Sequence, residues 1–145
     1  MKIVDVNILL YAVNPDAPLH DRIVEWWEEQ LNGDESIGLA WPVAIGFLRV
    51  STHPRIFPSP LTPQEAIAHM DTWLALDIVT LLTENRDHWR TLRSLMADVG
   101  VAGNLAPDAH LAALALTHGA TLASCDADFS RFRKLRWENP LHGAR

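Results

Sequence analysis

The chain predicts an α/β fold, a mainly parallel sheet of four to five strands flanked by helices. Two patterns carry that expectation. Short apolar runs alternate with longer stretches whose apolar residues recur at helical spacing. Strands separated by helices pair in parallel through right-handed crossovers. A third observation marks where such a sheet would do chemistry. The opening run MKIVDVN reaches an acid at Asp5, with Asn7 two residues on. Leu105-Ala106-Pro107-Asp108 puts an acid at the mouth of a helix, and the run from Thr121 stops at Asp126 and Asp128. Ligands of parallel sheets sit beyond the carboxyl ends of the strands.

Residues 3–6 read as a buried strand and 8–13 as a short helical turn, closed by the loop Asn14-Pro15-Asp16. Residues 20–31 are amphipathic. Ile23, Val24, Trp27 and Leu31 share a face, while Glu25, Glu28 and Glu29 lie away from it, and Asn32-Gly33 is the stop signal. A second strand is expected over 36–40, then a helix over 43–51 with Val43, Phe47 and Val50 on one side. Pro54, Pro58 and Pro60 make 53–60 a loop. Thr62-Pro63-Gln64-Glu65 starts a helix: Thr62 caps, Pro63 suits the first helical position, and Glu65 completes a capping box. That helix runs to about residue 76, with Ile67, Met70 and Leu74 inward.

Residues 77–82 read as a third strand and 87–99 as a helix burying Leu92, Leu95, Met96 and Val99. After a turn-rich link over 100–106 comes an almost wholly apolar helix over 107–118, ended by Gly119 and expected to be buried on most sides. Residues 120–125 form a fourth strand and 135–138 a short fifth. The 145 residues read as one domain, 1–145, long enough for a proper core.

Apolar residues at 48% and charged residues at 21% fit a soluble globular protein. A net charge of -6 argues against nucleic-acid binding through bulk charge, but metal-holding acids bias that count, so a nuclease is not excluded. The single cysteine, Cys125, cannot pair within the chain, which suits a reducing cytoplasm. Neither a signal peptide of the usual form nor a bilayer-spanning apolar run is present.

Carboxylates gathered at one sheet edge suit a divalent cation such as Mg²⁺, which prefers oxygen ligands and keeps several waters. Asp5 and Asp108 are the central ligand candidates. Asp126 completes the set, directly or through water, and Asp128 is a reserve ligand or a neighbour of one. Asn7 is placed to orient a water or to hydrogen-bond Asp5. Asp108 also reads as an acid favoured by a helix dipole, and each of the others as a plain cap or turn residue. Among the remaining residues, no HExxH, Cys/His zinc spacing or Gly-rich phosphate loop occurs. Cys125 lacks a partnering base and reads as a structural thiol. Most of the six tryptophans fall on apolar helical faces, so core or interface outweighs base stacking. Arg131, Arg133, Lys134 and Arg136 directly follow the acids and read either as a grip on an RNA backbone or as a solvated face.

The chain resembles a PIN-domain ribonuclease of the VapC toxin family, from type II toxin–antitoxin pairs, in the branch common in mycobacteria and relatives. The matching pieces are IVDVNILLYA, GFLRVSTHPRIF followed by PLTPQEA, GNLAPDAHLAALALTHGATLASCDADFSRF and LRWENPL, spread over nearly the whole length. The resemblance implies a PIN-like three-layer fold, Mg²⁺ dependence with Mn²⁺ as a substitute, and hydrolysis of RNA by water. Asp5 matches the first family acid, Asp108 the third, Asp126 the fourth and Asp128 the extra acid beside it, with Asn7 the polar residue after the first. At the second acid the chain departs. Many members carry Glu in the helix before the FLRV segment, and here Gly46 or a neighbour stands in its place. One firmly held ion is therefore expected.

The family further implies a homodimer and a cognate VapB-type antitoxin, in a hetero-oligomer with the toxin, and the lack of a spanning apolar run implies no membrane contact. Two other readings compete. A non-catalytic PIN-like module that binds RNA or antitoxin is favoured by Gly46, but it has no need of mutually repelling acids. A phosphatase with an N-terminal aspartate nucleophile wants a second acid where Asn7 stands and a positioned lysine, and the only lysines are Lys2 and Lys134.

Overall fold

In the computed structural model, which describes residues 1–100, 103 and 105–142, five strands pair side by side and every pairing is parallel. They are β1 (Lys2–Val4), β2 (Ile37–Ala40), β3 (Val79–Leu82), β4 (Thr121–Ala123) and β5 (Trp137–Glu138), in the spatial order β3-β2-β1-β4-β5. Six helices connect and cover them: α1 (Val6–Val13), α2 (His20–Leu31), α3 (Trp41–Ser51), α4 (Pro63–Leu74), α5 (His88–Val99) and α6 (Leu105–Thr117). A 3-10 turn (Ala127–Arg131) precedes β5. Of the link expected over 100–106, Val101, Ala102 and Asn104 lie outside the described residues.

The order has a functional consequence. The chain starts in the middle strand, works outward through β2 and β3, then returns to the other flank with β4 and β5. The direction of winding therefore reverses between β1 and β4, and a crevice opens at such a reversal beyond the strand ends. Val4 pairs with Ala123, so the two strands finish level, and the Asp5 N–H still donates to the Ala123 carbonyl at 3.0 Å.

Burial explains the strand composition. Ile3, Val4, Leu39 and Leu122 are wholly buried, as expected of a sheet covered on both faces. Trp73 of α4 stands edge-on to Trp27 of α2, with ring centroids 5.8 Å apart, and tilts against Phe47 of α3 at 5.3 Å. This aromatic group sets the rotation of α4. Its buried residues are Ala66, Met70 and Trp73, while Ile67, expected inward, is half exposed. Helical periodicity allowed either Ala66 with Trp73 or Ile67 with Leu74 to face in beside Met70, and the larger indole surface decided it.

Boundaries differ where caps intervene. β1 ends at Val4 rather than at residue 6, because the Asp5 side chain accepts the Val6 N–H and starts α1 there. α3 begins at Trp41, with Pro42 in the first turn, where a missing N–H costs nothing. α6 likewise begins at Leu105 and admits Pro107 in its first turns. The capping box of α4 forms as expected: Thr62 Oγ1 accepts from the Glu65 N–H at 3.2 Å, and Glu65 Oε1 accepts from the Thr62 N–H at 3.1 Å. Thr62→Ala is expected to lower stability by about 1 kcal/mol, read as a lower urea midpoint at unchanged m-value.

Candidate metal and catalytic site at the carboxyl edge

The crevice between β1 and β4 is built from two short polar segments. Asp5 follows Val4 and is buried, with 7% of its surface exposed. Its Oδ1 accepts the Val6 N–H at 2.7 Å, which makes it the cap of α1. Its Oδ2 accepts from the Ser124 hydroxyl at 2.7 Å and from Asn7 Nδ2 at 3.2 Å. Asn7 lies in the first turn of α1, where its amide also reaches Ser124 Oγ at 3.1 Å and its Oδ1 accepts the Cys125 N–H at 3.3 Å. Ser124 Oγ in turn accepts the Asp126 N–H at 3.0 Å. The start of one helix and the loop after β4 are thereby locked into one network.

Ser124 was not singled out in the sequence. Its signal was present: a hydroxyl sits where the apolar run of β4 ends, and wholly buried hydroxyls need partners. Asn7 does hydrogen-bond Asp5, one of its two expected roles.

Beyond this network the acids converge. One carboxylate oxygen from each of Asp108, Asp126 and Asp128 lies within 4.8 Å of the others. Asp108 comes from the first turn of α6. Asp126 caps the 3-10 turn, its carboxylate accepting the Asp128 N–H at 2.9 Å. Asp128 also faces Arg131 at 3.7 Å. The sequence reading put Asp5 and Asp108 at the centre and Asp128 in reserve. The structure gathers Asp108, Asp126 and Asp128, and Asp5 stands outside that group with both oxygens engaged.

The electrostatics follow from this crowding. Burial pushes the Asp108 carboxyl up to about 6, and the charges of Asp126, Asp5 and Asp128 add to the rise. Burial also raises Asp5, against the lowering effect of its hydrogen bonds from Ser124 and Val6, and the charge of Asp126 adds to it. Such a set holds a proton or a cation more readily than it holds full negative charge. Its donors are carboxylate oxygens alone, the set that a small hard divalent ion prefers over zinc or copper. Cys125 offers no thiolate: burial, with the Asp5 charge beside it, pushes the thiol up to about 11.

Two neighbouring features complete the site. His110, two residues past Asp108, shares a hydrogen bond of 3.0 Å with His88, which ties α5 to the start of α6. On the other side Gly46 lies in α3, a helix without any acid. A Cβ built at Gly46 would meet only Val6 Cγ2, at 3.5 Å, an ordinary contact. Gly46→Ala is therefore expected to fold normally and to gain about 0.5–1 kcal/mol through the helix preference of Ala over Gly, measured by chemical denaturation.

An all-parallel sheet with this strand order, carrying acids at the crevice beside its first strand, defines a PIN domain. Residues 2–135 match the PIN domain family. The chain is 41% identical over 140 residues to Ribonuclease VapC37 of Mycobacterium tuberculosis, covering 97% of each. With Ribonuclease VapC43 of the same organism it shares 43% over 143 residues, 99% of this chain and 97% of the other. VapBC2 from Rickettsia felis, solved bound to a DNA fragment from their promoter, contains a chain of similar fold, with a TM-score of 0.72 at 19% identity over 95% of this chain and 97% of that one. The chain belongs to the VapC family of PIN domains.

Proposed function

We propose that this chain is the toxin of a type II toxin–antitoxin pair, a metal-dependent endoribonuclease that hydrolyses RNA phosphodiester bonds. The observation that carries this reading is the convergence of Asp108, Asp126 and Asp128 from two separate elements on one crevice, with the buried Asp5 behind them. It occurs in a chain 41% identical to a protein named as a ribonuclease.

Asp108, Asp126 and Asp128 would hold Mg²⁺, or Mn²⁺ in its place, with Asp5 adding negative charge at the rear. When bound, the ion supplies charge neutralisation at the phosphate and lowers the pKa of a water. The chain's own part is positioning. Ser124 and Asn7 hold Asp5 in one rotamer, and through the Asp126 N–H they fix where the loop after β4 presents its acids. Asp108, whose carboxyl burial and the neighbouring acids raise to about 6, has to be ionised to serve as a ligand. The absence of an acid at position 46 supports one firmly held ion rather than two.

The partner follows from the family. A VapB-type antitoxin would neutralise the site by inserting a basic side chain among the acids, replacing the cation's charge and blocking RNA. A homodimer, and a hetero-oligomer with antitoxin, complete the assembly. Among the described residues no helix is long and apolar enough to cross a membrane, and a reducing cytoplasm suits the lone cysteine.

Incubation of a mixed cellular RNA pool with the pure protein tests the reading. Discrete fragments with Mg²⁺ or Mn²⁺, absent with EDTA and absent after antitoxin is added, are the expected result. A folded, antitoxin-free protein that cuts nothing at any metal concentration would favour the non-catalytic RNA- or antitoxin-binding module, with Gly46 as its basis.

A further inference from the structure

The net charge is -6, yet the cations are not spread evenly. Arg131, Arg133 and Lys134 fall within four positions, the first ending the 3-10 turn and the other two on the segment that leads from it to β5. That segment runs past the C-terminal half of α5. Between them lies a cavity of about 290 Å³, lined by these three cations together with Leu95 and Asp98. A second cavity of about 250 Å³ continues it along α5, sharing Leu95, Asp98 and Lys134 and adding Arg90. Four exposed cations thus border one continuous groove, against the single acid Asp98 in its lining. Among the described residues Arg133 and Lys134 make no ion pair. Arg131 Nε stands 3.7 Å from Asp128, one of the three gathered acids, so the groove opens directly off the carboxyl edge.

We propose that this groove holds the phosphate backbone of a single-stranded RNA segment flanking the bond to be cut. The inference rests on the nuclease reading above. An acidic protein repels RNA over most of its surface, so binding has to come from a local cationic track, and a track is useful only if it leads to the site. This groove meets both conditions. Arg133 and Lys134 are its free charges. Arg131 exchanges Asp128 for a phosphate when the acids are occupied by a cation, and the Leu95 side chain gives the sugar face an apolar floor.

Binding of labelled single-stranded RNA, measured across salt, tests this. The full chain carrying Asp108→Asn serves as the non-cutting background. To it is added either Arg133→Gln with Lys134→Gln, or Arg49→Gln with Arg55→Gln, which removes the same charge elsewhere. Between about 50 and 200 mM salt, the groove pair is expected to flatten the slope of log affinity against log salt by about 1.4, and to weaken binding about tenfold. The control pair should change both far less. Equal effects from the two pairs, or no effect from the groove pair, would overturn the proposal. So would a groove pair that keeps RNA affinity but loses antitoxin, since the groove would then be a protein interface. Wild type that binds RNA through the groove yet cuts none would remove the nuclease reading and leave the groove standing. Cutting by wild type with an inert groove pair would do the reverse.

Discussion

Asp108→Asn is expected to cut the rate of RNA cleavage by roughly two to three orders of magnitude while making the metal-free protein more stable. The two effects share one cause. Asp108 is crowded by Asp126, Asp5 and Asp128 in a partly buried place, and its carboxyl is raised to about 6. Asparagine keeps the shape and removes the charge. Without that charge the cation loses a ligand, and the rate should fall by two to three orders of magnitude, roughly the loss seen when one electrostatic contact to a transition state is deleted. In the metal-free protein the same change relieves repulsion. The gain should be on the order of 1 kcal/mol, allowing for solvent screening at a partly exposed group, or roughly 2–4 °C in melting temperature. The pH window follows from the direction of the shift. A carboxyl raised in the folded state contributes stability below its unfolded pKa, near 4, and loses that contribution as pH climbs through about 6. The advantage of Asp108→Asn should thus be absent at pH 4, develop between pH 4 and 6, and be complete above. Melting curves in EDTA across that range check it. Adding Mg²⁺ should reverse the order above pH 6, because only wild type then has a site to fill.

Asp5 should behave in the opposite way. Asp5→Ala is expected to cost about 2 kcal/mol or more of stability as well as activity, because a helix cap is lost and a wholly buried hydroxyl is stranded. The carboxylate accepts the Val6 N–H, the Ser124 hydroxyl and the Asn7 amide, and Ser124 has no exposed surface from which to recruit water. Asp5→Asn keeps an acceptor for the Val6 N–H, but its amide nitrogen faces the Ser124 hydroxyl and the Asn7 amide, which both donate to Asp5. It should lose less stability than Asp5→Ala, because the helix cap survives, and still fail to cleave, since the charge behind the acid group is gone. Denaturation midpoints for the two variants, read beside RNA cleavage, separate the structural from the electrostatic role of this residue.

Much of this fold was legible from spacing alone. The alternation of apolar runs with amphipathic stretches implied the parallel sheet, and Thr62-Pro63-Gln64-Glu65 marked the start of α4 because capping is local chemistry. Ile67 was misplaced because two helical faces were equally apolar, and only the packing of Trp73 on Trp27 and Phe47, residues distant in sequence, selects between them. At the site, the acids stood out as carboxylates ending apolar runs. Their grouping did not. Which oxygens converge depends on the Ser124–Asn7 network, and its contacts join positions more than a hundred residues apart. Asp5 ends a strand, which marks it as a ligand candidate, and the same position lets it cap α1 through one of its oxygens. Gly46 was visible as a missing acid, and the structure adds that a Cβ there would make only an ordinary contact, with Val6.

The most direct measurement is a calorimetric titration of chelator-treated protein with Mn²⁺ near neutral pH, wild type beside Asp108→Asn. One ion per chain is expected for wild type, with binding that fades as pH falls below about 6, and none for the variant. A folded wild type that takes up no Mn²⁺, or a variant that binds it as wild type does, would contradict the assignment of these acids to a metal centre.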